Sequence, residues 1–575
     1  MKHALIILLT VCLTISATAQ QKKPKWLERT EKAIFTVEAT TKEGMTRTAP
    51  GFFIHENGEA VASYDIFKKA EKAVVVTATG ERLSVGHILG IDEVYGVIRF
   101  KVSVPKKTVF LPVAKISPIL NSTAYLPPSK EEKNLGQGMI TEIAKVSSVY
   151  DYYKVELPLP QSQVGYPLLN EAGEVFALTQ SDASGKGNTY GIAVAYIQSL
   201  KFTTTDLLKN SYADMGIRKS WSSDFEEARI ALLLYASQQD APTYLETLND
   251  FITSFPAYAE GYISRASHYA YRRQELATTE SEQLKLLDLA WNDLESAAKY
   301  IKNKGETNFN KARLIFGIIS IDSTLSYKNW TLQSAEENIQ KAIAEQNSPV
   351  YHQLKGDIAF FKKDFEKAYE SYAVVNHSSE SSGSSFYWAA KSMQQIPGAN
   401  IMEIITLIDS AVAKSYRDDA AAFLLENIDL KLQVGLYEQA VNDYDKYFIL
   451  KSGNVSHEFY YYREQAKFRT GDLDGALRDI ETAIAMENAD AIYYAERASV
   501  YLRMQNLPKA QENAQKAIEL EPEFASAYRL LGVCFVRQDK QAEACVQFEK
   551  AKALGDPVVD RLINENCNVT SNKNF

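Results

Sequence analysis

The stretch Gly51-Phe52-Phe53-Ile54-His55-Glu56-Asn57-Gly58-Glu59-Ala60-Val61-Ala62-Ser63-Tyr64-Asp65-Ile66 holds two apolar runs on either side of Asn57-Gly58. Asn-Gly between apolar runs is a hairpin signal, because both residues accept the positive φ that a tight two-residue turn needs. Similar short segments surround it: Ala33 to Ala39, Ala73 to Ala78, Val97 to Val102 and Val175 to Leu178, with Thr79-Gly80 and Ala172-Gly173 as further turns. From Trp26 to Phe202 this pattern predicts short antiparallel strands arranged as a barrel or sandwich.

The identity of the residues says more than their periodicity. The opening stretch resembles the run G-F-h-I-x-x-x-G-x-h-h-T-N-x-H-V of trypsin-like serine proteases, where h is apolar, and above all their bacterial heat-shock (HtrA-type) branch. Ile88 to Val102 resembles that family's h-h-G-h-D-x-x-x-D-h-A-h-L-K-h. Ser162-Gln163-Val164-Gly165-Tyr166-Pro167-Leu168 resembles G-N-S-G-G-P-L, and Tyr190 to Ala195 is similar to the strand that walls the specificity pocket. The resemblance implies an all-β trypsin-like double barrel over residues 26–203.

It also implies where the chemistry should stand. The family's general base falls on Asp65, the acid that orients it on Gly96, and the nucleophilic serine on Val164. Acyl transfer of this kind needs a hydroxyl, a base to take its proton and an acid to hold the base, and a valine has no lone pair with which to attack. His55 and His87 read as structural, Ser162 lies two residues before the nucleophile's place, and no cysteine occurs between Gln20 and Leu530 to act instead. Ser162 and Tyr166 also replace glycines of the turn whose N–H groups bind the oxyanion. The expectation is a pseudoprotease without catalytic residues; the rival reading is an active secreted serine-type endopeptidase that uses non-standard residues. Two roles are left to the barrel: a groove beside a sheet edge, open to strand addition by a peptide, or a structural unit that binds nothing and only spaces or caps the helical array.

After Asp206 the apolar period changes from two to 3.6, across a polar connector at residues 204–223. His457, Ala491 and Ala525 open three successive 34-residue units, with an approximate fourth at Ala421. Small residues recur at Ala440, Ala476, Ala510 and Ala544, and again at Ala483, Ala517 and Ala551. Gly435 and Gly471-Asp472 fall between helices, and Pro522 and Pro557 end two second helices. These features resemble the tetratricopeptide (TPR) repeat and imply an all-α solenoid of about nine helix hairpins over residues 224–560.

That family's first helices turn the second, fifth, ninth, twelfth and thirteenth positions of each unit toward a protein or peptide on a concave face. Here they select Tyr461, Phe468 and Leu502 as apolar contacts and Arg469, Arg503 and Arg537 as one arginine per repeat. Guanidinium forks match carboxylates, so the ladder suits an acidic partner, or else is a solvated consensus feature. Ala495 reads as an exposed alanine.

The remaining sequence bounds the setting. A chain of 575 residues exceeds a single core, and 63 basic against 72 acidic residues, without a basic run, excludes nucleic acid as a partner. Residues 1–19 read as an export signal, with Lys2, an apolar run from Ala4 to Ile15 and Ala17-Thr18-Ala19 as cleavage site. The run is too short for a permanent anchor, which points to a periplasmic or secreted protein with no transmembrane anchor after cleavage. Cys534, Cys545 and Cys567 lack zinc or redox spacing; Cys534 and Cys545 read as small packing residues, with a bridge between two of the three as the alternative. No motif asks for a metal or cofactor, and residues 561–575 read as a tail. The combined expectation is a non-catalytic cell-envelope scaffold.

Overall fold

The computed structural model describes residues 23–181, 187–203, 206, 212 and 214–567, so the expected export signal lies outside the described residues. A helix that strand propensity did not announce, α1 (Leu27–Ala33), precedes the first strand. It is fastened at Trp26, whose Nε1 donates to the Glu171 carbonyl at 3.1 Å. The Trp26 ring fills the space beside Gly173, where an added side-chain carbon would fall 2.2 Å from it.

Twelve strands follow in two closed sheets. The first holds β1 (Ile34–Thr41), β2 (Thr46–Phe53), β3 (Glu59–Ser63), β4 (Ala70–Val76), β5 (Arg82–Asp92) and β6 (Val97–Val102) in the order β1-β2-β3-β6-β5-β4. The second holds β7 (Thr123–Leu126), β8 (Gly136–Val146), β9 (Tyr150–Glu156), β10 (Pro167–Leu169), β11 (Val175–Gln180) and β12 (Thr189–Ala193), and read from β7 it has the same order. Alternation decides which face is inside: Phe35, Val37 and Ala39 of β1 point into the first core with Phe53, Phe67 and Phe100. The second core gathers Ile140, Tyr153, Leu168, Phe176 and Ile192. Every strand has two neighbours, so the sheet edge expected to accept a peptide is already used along the paired lengths.

The connector expected at 204–223 does more than connect. Tyr212, Met215 and Ile217 are buried in the first barrel's core beside Phe202. The Ile88 amide donates to the Arg218 carbonyl at 2.7 Å, and the Ser220 amide to the Ile88 carbonyl at 2.8 Å. Three apolar side chains scattered among polar ones are hidden by a polar average, yet they suffice to seat the strand partner.

After α2 (Val194–Ser199) the described chain is helical from α3 (Phe225–Gln238) onward. It divides into two compact units between Arg265 and Ala266, so that α3 and α4 (Ala241–Ser254) belong to the unit that holds the barrels. In the second unit the helices His457–Thr470, Ala491–Arg503 and Ala525–Val536 begin on the three residues that open the 34-residue units. The fourth differs: its helix runs Arg417–Gln433 and starts before Ala421, because Asp418 and Asp419 favour a helix N-terminus.

Close crossings explain the small residues. Ala440, Ala476, Ala510 and Ala544 are fully buried. An added side-chain carbon on Gly356 would lie 2.7 Å from the Tyr372 ring, and one on Gly532 would lie 2.4 Å from Phe548, in both cases a residue sixteen places on. Ala495 is 4% exposed and belongs to the core with Leu530 and Leu531, not to the surface. The expected tail is ordered through Cys567: Val559–Asn566 is a helix, and Cys567 is bonded to Cys545 with Cα atoms 5.7 Å apart. That bridge corrects the packing role expected of Cys545, while Cys534 is free and buried. Among the described residues no helix is long and apolar enough to cross a membrane.

Candidate functional site

Asp65 stands on a single 3₁₀ turn, Tyr64–Phe67, directly after β3. Its carboxylate, 69% exposed, accepts from Lys68 Nζ at 2.7 Å, and Arg47 Nη1 donates to its main-chain carbonyl at 3.4 Å. Gly96 lies in the turn between β5 and β6 at φ +62, and its carbonyl accepts the Tyr64 amide at 2.9 Å. Beside it, Tyr95 packs edge-on to Tyr196 at 5.8 Å and tilts against Tyr152 at 6.4 Å. The Gln180 side-chain amide donates to the Tyr95 carbonyl.

Val164 follows a second 3₁₀ turn, Gln161–Gln163, and its amide donates back to the Gln161 carbonyl at 3.3 Å. The turn is clasped from behind by Thr179, whose Oγ1 accepts the Gly165 and Tyr166 amides at 3.0 and 2.8 Å and donates to the Gln163 carbonyl at 2.7 Å. Gln163 is buried and donates from Nε2 to the Pro127 carbonyl at 2.7 Å. The Ser162 hydroxyl is buried with no hydrogen-bond partner among the described residues. Neither histidine is near enough to bond it: His55 Nδ1 accepts the Asn57 amide at 3.2 Å, and His87 Nε2 lies 3.1 Å from Asp250 Oδ1. Trp221 Nε1 donates to the other Asp250 oxygen at 2.9 Å, so His87 helps seat α4 rather than serving the turn.

Tyr461, Phe468, Arg469, Leu502 and Arg503 fall on the first helices of their hairpins, and Arg537 is the residue that ends the next such helix. Tyr461 is half-buried against Tyr493, with ring centroids 5.3 Å apart, and burial pushes its hydroxyl up to about 12. Arg503 reaches one repeat back to Phe468, while Arg469 and Arg537 are exposed and, among the described residues, make no side-chain hydrogen bond or ion pair. Leu502 is buried in the core, 7% exposed, and not available to a ligand.

Two features in the array escaped the sequence reading. Glu464 occupies the close-crossing place held by Gly356, Ala498 and Gly532 in other units; it is fully buried and neither carboxyl oxygen has a partner among the described residues. Counting 34 residues back from Ala498 finds it. The second is a cavity of about 570 Å³ at the unit that opens on Pro349. Val350, Gln353, Asp357, Phe360 and Phe361 line it, and these are the second, fifth, ninth, twelfth and thirteenth positions of that unit. The sequence reading applied those positions only to the three most regular repeats, in one of which the twelfth, Leu502, is buried in the core instead.

The frame is that of a trypsin-like double barrel followed by a tetratricopeptide-type helical region. Among curated proteins the chain is similar to the Protein SGT1 homolog of Oryza sativa subsp. japonica, 31% identical over 105 residues, covering 18% of this chain and 29% of that protein. It is also similar to the small glutamine-rich tetratricopeptide repeat-containing protein of Dictyostelium discoideum, 37% identical over 67 residues, 12% of this chain and 20% of that protein. The Hsp70-Hsp90 organizing protein of Triticum aestivum is 30% identical over 92 residues, 16% of each chain. The chain thus spans less than a third of the length of these relatives. Of solved structures, the serine endoprotease from Yersinia pestis matches 30% of this chain and 62% of its own at 16% identity and a TM-score of 0.26. The HtrA-type protease AlgW with tripeptide matches 30% and 60% at 13% identity and the same TM-score. No family model matches the chain.

Proposed function

We propose that this is a non-catalytic binding protein of the cell envelope, periplasmic or secreted, with a pseudoprotease barrel and a repeat array that holds a protein or peptide partner on its concave face. The observation that carries the reading is Val164: no hydroxyl stands at the nucleophile's place, and its amide is engaged with the Gln161 carbonyl instead of facing a substrate. The buried Ser162 hydroxyl has no base beside it to take its proton. Similarity to repeat proteins, one of them named as organizing two chaperones, supports partner binding by the helices. The Cys545–Cys567 bridge supports an oxidising compartment.

The test is covalent labelling of the purified protein with a fluorophosphonate, alongside peptide and ester hydrolysis. No labelling and no turnover above background is the expected result. Labelling in the barrel that disappears in Ser162→Ala establishes an active enzyme and ends this reading.

A further inference from the structure

The cavity at the Pro349 unit combines aromatic walls with unpaired negative charge. Phe316 of the helix Lys304–Ile321 meets Phe361 edge-on at 5.8 Å, and Phe360 meets Trp388 edge-on at 4.9 Å. Phe361 and Trp388 remain 40% and 37% exposed toward the opening. Asp357 lines the same cavity; its Oδ1 accepts from the Tyr372 hydroxyl at 2.8 Å and from Gln353 Nε2 at 3.1 Å, and among the described residues it makes no ion pair. Burial without a nearby cation raises its carboxyl above the usual range. Glu380, on the loop ahead of the helix Gly383–Gln394, adds a second carboxylate; among the described residues no side chain engages it and no lysine or arginine lines the cavity.

A carboxylate taken out of water costs free energy unless a cation meets it, and aromatic faces attract cations too. At about 570 Å³ the space falls within the about 300–1,000 Å³ of ligand sites, larger than one side chain needs. We propose that this cavity binds a basic side chain, lysine or arginine, of an extended peptide segment of a partner protein, with apolar neighbours of that residue against the aromatic walls. The aliphatic stem runs along Phe361 and Trp388 while the charged head meets Asp357 and Glu380. This deepens the partner-binding reading above, and it asks for a charge opposite to the one that suits Arg469 and Arg537.

The experiment is fluorescence anisotropy on the full chain with fluorescein-labelled Ala-Leu-Arg-Leu-Ala and the same peptide carrying glutamine or glutamate in place of arginine. The arginine peptide is expected to bind at least tenfold more tightly than the glutamine peptide, and the glutamate peptide most weakly. Asp357→Asn should abolish the preference, and Glu380→Gln, at an exposed loop position that holds no core contact, should reduce it several-fold. Trp388→Ala should weaken all three peptides. Equal binding of arginine and glutamine peptides, a preference that survives in both carboxylate variants, or no binding at 1 mM overturns the site. If a native partner cross-links near Arg503 while these peptides fail, the site falls and the scaffold reading stands; peptide binding without any partner in cells gives the reverse.

Discussion

Arg503 Nη1 donates to the Phe468 carbonyl at 2.8 Å while its guanidinium rests 4.8 Å from the Phe468 ring, so an arginine at the end of one helix caps the end of the equivalent helix one repeat earlier. A cation at a helix C-terminus and over a ring is worth roughly 0.5–1 kcal/mol at an exposed site. Arg503→Gln should therefore lower unfolding free energy by about that much, and Arg537→Gln by less than about 0.3 kcal/mol, in chemical denaturation. Equal losses mean that the contact contributes nothing.

Because Arg503 is structurally engaged, the ladder's part in binding is better tested on its neighbours. Arg469→Glu with Arg537→Glu should weaken capture of the partner with unchanged helical content, most of all at low salt, since the Debye length shrinks from about 10 Å at 0.1 M to about 3 Å at 1 M. Undiminished capture at low salt identifies the arginines as solvated residues.

The Glu464 carboxyl is pushed up to about 8, chiefly by burial and then by the charges of Glu496 and Asp479. The folded chain keeps a proton there that the unfolded chain releases near pH 4, so this group stabilises fully below about pH 4 and its contribution is lost as pH rises toward 8. Glu464→Gln keeps the shape without the charge. The variant should match the parent near pH 5 and exceed it by about 1–3 kcal/mol near pH 8, read from melting curves across that range. A parent whose stability is flat from pH 5 to 8 contradicts the assignment.

Ala510→Leu places a larger side chain in a fully buried crossing and should cost about 1–3 kcal/mol. The comparison is Ala485→Leu on the exposed side of the helix Leu473–Met486, which should cost under about 0.5 kcal/mol. Similar melting shifts for the two would refute the packing described for the repeats.

Restoring side chains alone should not restore chemistry. In the triple variant Asp65→His, Gly96→Asp, Val164→Ser the left-handed Gly96 position can accept aspartate, but the residue-164 amide remains tied to Gln161 and the turn remains clasped by Thr179. Fluorophosphonate uptake should stay at background; labelling at residue 164 shows instead that the turn reopens.

What was legible in the sequence depended on how local its cause was. β6 runs over Val97–Val102 as the apolar run does, and three helices start on the residues that the 34-residue period marks. The first signal lies within six neighbouring residues and the second is a short pattern repeated at a fixed spacing, so neither needs a distant packing partner to be read. Met215 and Ile217 were hidden because their partners on the first barrel are more than a hundred residues earlier. Ala495 was misjudged because its position in the unit speaks for one face of a helix, while the adjoining unit covers it. Asp65, Gly96 and Val164 were readable as identities, whereas the hydrogen bond that occupies the Val164 amide belongs to backbone geometry.

The bond between Cys545 and Cys567 closes a loop across the final hairpin and the helix that follows it, 22 residues apart. In a stack of hairpins each member is held mainly by its neighbours, so a covalent tie adds to what packing supplies. Closing a loop of this length is worth about 3 kcal/mol, so oxidation holds this hairpin and the helix after it against local opening. The buried Cys534 thiol, pushed up to about 11 by burial, is a poor nucleophile and does not compete for either partner. Electrophoretic mobility without reductant thereby records the chain's history: a molecule that matured among oxidants runs compact and resists cleavage between Cys545 and Cys567, and one held among thiols does neither.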